Sequence, residues 1–366
     1  MQRTPGAALE TAVPMEKREA FLAAYAKIRE EILSDLSSGD FQLPDNILER
    51  VKFCLDYNVP HGKLNRGLAV LEAYRAARRC ETFEALSEQE RQDALLLGWC
   101  VEWLQAFFLV ADDVMDGSKT RRGRPCYYLL DHIGLSSVND CLLIEAQIYR
   151  LLRRRFRARE SDPELYLDLV ELFLDTTYST EVGQMLDLES STGSDAMLEK
   201  FTEQNLLRIY RFKTAIYSFY LPVALGMRLA GIRNSLYYQQ AKEILLEMGA
   251  YFQAQDDFLD CFGDPVVTGK VGTDIEERKC TWLIVEALKC CSPAQREMLR
   301  CSYGKQDSDS VARIKALYRE LGLPQRFQTY DQESYARIQR KLEALDADFP
   351  VEALRFLLQS IYKRSK

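Results

Sequence analysis

The chain has 366 residues, 47% hydrophobic and 28% charged, a globular balance with enough apolar mass for a sizeable core. A net charge of −7 argues against nucleic acid as a partner, and two histidines, His61 and His132, argue against a histidine-based zinc site. Ten scattered cysteines without a CxxC pair read as reduced, buried thiols of an intracellular protein.

Residues 1–15 read as a disordered leader and residues 16–366 as one domain. The leader has no hydrophobic signal region, so a cytoplasmic location is expected, with organelle targeting the lesser alternative. No apolar run reads as long enough for a membrane span, so no stable membrane anchor is expected. Apolar residues Phe21, Leu22, Tyr25, Ile28 and Ile32 predict a helix over Glu16–Asp35, and Ile47, Val51 and Leu55 a second over Asp45–Leu55. A turn at Pro60–Gly62 then enters a helix running to about Ala77. Lys63, Asn65 and Arg66 stand at or just before its first turn, where cations oppose the helix dipole unless an anion sits among them.

Gln89–Ala111 is a long apolar helix that leads into Asp112, Asp113 and Asp116. In the loop that follows, Arg121 and Arg122 either neutralise these acids or clamp a phosphate. The helix over Asn139–Phe156 ends in the basic run Arg153–Arg157, read as a solvated face. Another begins at Ser161–Glu164 and carries Thr180–Asp187. Leu198–Leu229 places Lys213 and Thr214 in an aromatic stretch and should kink at Pro222. Tyr238–Phe258 bears the second acidic triplet, Asp256, Asp257 and Asp260. The loop beyond holds Lys270 and Lys279 without Walker spacing, Ser292 caps a further helix, and two or three more follow. Period-2 alternation is absent, so the fold class is all-α, with ten or more helices.

Asp112 and Asp116 lie one turn apart on a helix, and the second triplet repeats the spacing. Carboxylates so close repel one another unless a cation shares them. The two triplets therefore read as facing walls of one metal site. The motifs GKLNRG, FFLVADDVMD, TRRG, TEVGQMLD, KTAIYSFYLPVA, FQAQDDFLDCFGDP and GKVGTDIEERKC stand in this order. Together they resemble the eukaryotic farnesyl diphosphate synthases among the short-chain trans-prenyltransferases, from about residue 45 onward. A class I terpene cyclase also carries one DDxxD, but not this repeat.

The resemblance implies a single-domain isoprenoid-synthase-type helical bundle around a deep central cavity, in a homodimer. It implies that isopentenyl diphosphate condenses with dimethylallyl and then geranyl diphosphate. The alternatives are a geranyl or geranylgeranyl diphosphate synthase, or a noncatalytic prenyltransferase subunit. It also implies about three Mg²⁺ per site, with Mn²⁺ as a substitute, held by Asp112, Asp116 and Asp256 and supported by Asp113, Asp257 and Asp260. Arg121, Gln184, Lys213, Lys270 and Lys279 are implied at the allylic diphosphate. Lys63, Asn65, Arg66, Gln105, Arg122 and Arg364 are implied at isopentenyl diphosphate. The Lys213 carbonyl, Thr214, Tyr217 and Gln253 would face the carbocation. Phe107 and Phe108, about one turn before Asp112, read as a floor that limits product length, with Trp103 a third part of it if it faces the cavity. His61, Tyr127 and Trp103 depart from the Gly, Trp and Leu usual in the family.

Overall fold

The computed structural model describes residues 15–192, 197–268 and 271–362. The leader up to residue 14, Lys270 and Arg364 lie outside the described residues. The N-terminal half contains α1 (Met15–Ser37), α2 (Asp45–Asn58), α3 (Asn65–Ala77), α4 (Glu88–Asp116), α5 (Ser137–Phe156) and α6 (Leu165–Ser191). Next come α7 (Glu203–Ile209), a π-helix (Tyr210–Tyr220), α8 (Leu221–Leu229) and α9 (Ser235–Phe262). The chain continues through α10 (Pro265–Thr268), α11 (Trp282–Cys290), α12 (Pro293–Ser302), α13 (Ser308–Glu320), α14 (Leu323–Glu343) and α15 (Val351–Ile361). The all-α expectation holds, apart from a two-residue ladder that pairs β1 (Thr120–Arg121) with β2 (Arg124–Pro125).

Several boundaries move for local reasons. Ser87 accepts from the Glu90 backbone while Glu90 accepts from the Ser87 backbone, so this capping box starts α4. The helix stops at Gly117, whose φ of 65° suits a residue without Cβ. Both acidic triplets lie within the last turns of helices, α4 and α9, which run a few residues beyond the expected ends at Ala111 and Phe258. Ser292 and Gln295 form the same box at α12. Contrary to the sequence expectation, α4 is long and apolar enough to cross a membrane, yet 78% of its most apolar window is buried inside the protein. Six cysteines are buried as expected, whereas Cys301 is exposed. The basic end of α5 is only partly solvated, because Arg155 and, just past the helix, Arg159 bond the buried Asp93 at 2.5 and 2.7 Å.

One core cluster joins α1 to α6 around Phe21, Trp99 and Trp103. A second joins α7, α9 and α11 to α14, and a third packs α3 and α8 against α9, α14 and α15. The predicted kink takes a different form. Pro222 sits near the start of α8, and the preceding eleven residues wind as a π-helix. Such segments concentrate at functional sites because the wider turn re-aims side chains and carbonyls.

Two glycines admit this wide turn between α6 and α9. A Cβ on Gly183 would stand 2.2 Å from the Lys213 nitrogen, and one on Gly249 would stand 2.2 Å from the Ala215 Cβ. Gly183→Ala and Gly249→Ala should each lower stability by about 1–3 kcal/mol through overpacking. Chemical denaturation checks this, and an unchanged midpoint in both variants would remove the constraint.

Candidate active site

A cavity of about 1180 Å³ opens between α4, α5, α6, the π-helix, α9 and the loop before α11. Asp112 and Asp116 line one wall, and Asp256, Asp257 and Asp260 line another. Two lysines link the first wall to Asp187 of α6. Lys213, from the π-helix, reaches Asp112 at 3.2 Å and Asp187 of α6 at 2.6 Å. Lys279, from the loop, reaches Asp116 at 2.9 Å and Asp187 at 3.0 Å. Gln184, one turn before Asp187, donates to Asp112 at 3.1 Å.

These contacts set the protonation states. Burial pushes the Asp112 carboxyl up, but Lys213, Arg121 and Lys279 outweigh it and hold the group well below its ordinary value. Asp116 moves the other way, raised by burial and by the Asp112 charge. Burial opposes the charge on Lys213 and Lys279, yet the surrounding aspartates raise both. Among the described residues no three carboxylates, thiols or imidazoles converge on one point. The two acidic walls face a shared space and do not form a closed cage.

The remaining acids have structural partners. Arg121 bonds Asp113 at 2.6 and 3.0 Å and Asp112 at 3.4 Å. Asp257 accepts from the Tyr210 hydroxyl, from the Trp282 backbone at 2.7 Å and from Gln253 at 3.2 Å. Asp260 accepts from the Asp274 backbone at 3.0 Å, which ties the loop to α9. Thr214 donates to Gln253 at 2.7 Å, so the two side chains share a hydrogen-bond line along the cavity wall.

The adjacent arginines do not form one clamp. Arg122 and Gly123 turn the short hairpin with φ of 54° and 74°, the pattern of a type I′ turn. Arg121 therefore faces the large cavity. Arg122 enters a neighbouring pocket of about 200 Å³ with Lys63, Asn65, Arg66 and Gln105. Burial and the nearby Arg66, Arg121 and Arg124 charges lower the Arg122 pKa, against a partial offset from the buried Glu102. A cluster of cations under that strain suits an anion. Arg18 pins the turn by donating to the Lys63 and Gly62 carbonyls at 2.9 and 3.0 Å. Arg66 donates to Ser218 at 2.9 Å and lies over the Tyr217 ring. Arg66 and Gln105 line both pockets, so the two spaces adjoin.

Phe107 and Phe108 line the cavity, their ring centroids 4.9 Å apart, and Phe108 also meets Tyr217 at 5.3 Å. Trp103 does not join them. It is fully buried against Trp99 and Tyr25, and its indole donates to Gln147 at 3.0 Å. Four residues turn a helix by about 400°, so Trp103 and Phe107 differ by roughly 40° in direction. Sequence reading missed Asp187, Glu102 and Arg18. Asp187 was discoverable as an acid one turn beyond Gln184 on the same face of α6, whereas Arg18 gave no signal.

The polyprenyl synthetase family model matches residues 49–321. The chain belongs to the polyprenyl synthetase family. It is 45% identical over 358 residues to the farnesyl pyrophosphate synthase of Gallus gallus, covering 98% of this chain and 95% of that one. It is 42% identical to the Saccharomyces cerevisiae farnesyl pyrophosphate synthase, covering 96% and 98%. The solved T. brucei farnesyl diphosphate synthase complexed with risedronate superposes with a TM-score of 0.87 at 32% identity, covering 96% of this chain and 100% of that one.

In this polyprenyl synthetase, Asp187 neutralises two lysines at once. Asp187→Asn should cost roughly 1–3 kcal/mol, less than a fully orphaned buried charge, because each lysine keeps a second carboxylate. Inorganic pyrophosphate should then raise the melting temperature of the variant more than that of the wild type. Equal shifts would count against Asp187 as the shared neutraliser.

Proposed function

We propose that this chain is a farnesyl diphosphate synthase, a prenyltransferase that joins isopentenyl diphosphate head to tail with dimethylallyl and then geranyl diphosphate. The observation that carries the reading is a single cavity lined by two acidic walls, two lysines and an aromatic pair, beside a cationic pocket. The names of the relatives support it.

The donor set suits magnesium. It consists of carboxylate oxygens that do not close into a cage, and Mg²⁺ is ordinarily held by one or two carboxylates together with substrate phosphates. Asp112, Asp116 and Asp256 would hold it, and when bound it neutralises the diphosphate that leaves. Lys213, Lys279 and Arg121 then turn from their carboxylate partners toward the same leaving group. Lys63, Arg66 and Arg122 hold isopentenyl diphosphate in the adjoining pocket. Its double bond thereby faces the allylic carbon as that carbon's bond to oxygen breaks. The new carbon–carbon bond forms, and the proton lost next passes to the released diphosphate. Thr214, Gln253 and the π-helix carbonyls present dipoles to the transient positive charge. The ring faces of Phe108 and Tyr217 exclude water from it.

Incubation with dimethylallyl and isopentenyl diphosphates plus Mg²⁺, followed by product chromatography, tests the reading. Farnesyl diphosphate should dominate, and Asp112→Asn should lower turnover by about a hundredfold or more while the fold persists. Phe107→Ala/Phe108→Ala should deepen the cavity and lengthen the product. Adding Trp103→Leu should not lengthen it further, because that side chain faces away. A terpene hydrocarbon product would exclude the synthase.

The homodimer is part of the same proposal. Leu135, Val138 and Leu142 beside or on α5, with Leu174, Tyr178 and Met185 on α6, are exposed apolar residues on neighbouring helices. Such a face is costly in water and suits a second copy. Sedimentation should find a dimer that Tyr178→Glu weakens; a monomeric wild type would remove this part.

A further inference from the structure

Away from the reaction cavity, α2 and α5 enclose a separate slot of about 210 Å³. Its mouth lies at the exposed Ile47 and Asn139, and its closed end at Leu55, Ile144 and Gln147, all at most 4% exposed. Val51 forms part of the apolar wall between them. The Gln147 amide has a fixed orientation. Its Oε1 accepts from the Trp103 indole at 3.0 Å, and an indole N–H can only donate. The Nε2 end must therefore point away from Trp103. It is buried and has no hydrogen-bond partner among the described residues.

The slot offers little to an ion. Arg50, at its polar end, is held by Asp140 and by Ser136, each at 2.7 Å. Asp140 also accepts from Tyr127 at 2.9 Å. Burial pushes the Cys54 thiol up to about 12, so it stays neutral. A charged guest would lose its hydration at the closed end and gain a single amide donor, whereas a neutral oxygen loses far less.

We propose that this slot binds small neutral molecules that have a compact apolar body and one hydrogen-bond-accepting oxygen directed at Gln147 Nε2. An apolar cavity near 150 Å³ already takes benzene, so a guest of roughly six to eight heavy atoms is the right size. The proposal does not rest on the reaction assigned above.

Cyclohexanone and methylenecyclohexane have nearly the same shape, but the second lacks the acceptor. Titration of the full chain with each, followed by ligand-observed NMR, should show cyclohexanone binding about tenfold more tightly. Val51→Phe, which fills the slot, should abolish this preference while thermal unfolding stays near that of the wild type. In a crystal soaked with cyclohexanone, the ketone oxygen should lie beside Gln147. Equal affinities for the two probes overturn the proposal, as does a preference that survives Val51→Phe or a soaked crystal with a water alone at Gln147. The probe pair decides the matter on the wild type even if Val51→Phe does not fold.

Discussion

One buried and one half-buried ammonium group hold apart three carboxylates that would otherwise repel one another. Asp187 stands between Lys213 and Lys279, which in turn reach Asp112 and Asp116 of α4. Removing such charges from water costs several kcal/mol per ion, so they persist only where each is paired. This alternation ties α4, α6, the π-helix and the loop before α11 to one another. It also explains why the acids do not converge. With ammonium groups between them, two of the three negative charges are already offset.

The backbone that carries this pattern is itself unusual. A π-turn is wider than an α-turn and poorer in packing, so its neighbours must make room. Gly183 and Gly249 do so from either side, and the approach at Gly183 is to the backbone nitrogen of Lys213 itself. Local geometry and charge thus meet at one residue. The hairpin after α4 performs a comparable division. Its two positive-φ residues send Arg121 and Arg122, neighbours in sequence, into adjoining spaces. One guanidinium neutralises the acidic wall, while the other joins a group of cations gathered near the buried Glu102.

Trp103 and Tyr127 both point toward α5. Trp103 bonds Gln147, and Tyr127 bonds Asp140, two turns earlier on that helix. Their hydroxyl and indole groups bring polar demands into a region packed with other aromatic rings. The Asp140 demand is met by Arg50. Gln147 satisfies the indole and in doing so turns its own donor elsewhere.

The sequence by itself determined the helical class, the approximate span of most long helices and the two acidic triplets. Each depends on near neighbours along the chain: apolar spacing, a capping serine or glycine, and carboxylates one turn apart. Periodicity could place Asp112 and Asp116 on one helix face, but not say which charges would meet them. The partnership of Asp187 with two lysines, the π-winding around Lys213 and the parting of Arg121 from Arg122 came only with the packed structure. So did the direction of Trp103, which a stripe of four-residue steps had placed beside Phe107. A helix fixes the angle between its own side chains, but which side faces a cavity is decided by the helices packed around it, from segments far away in sequence.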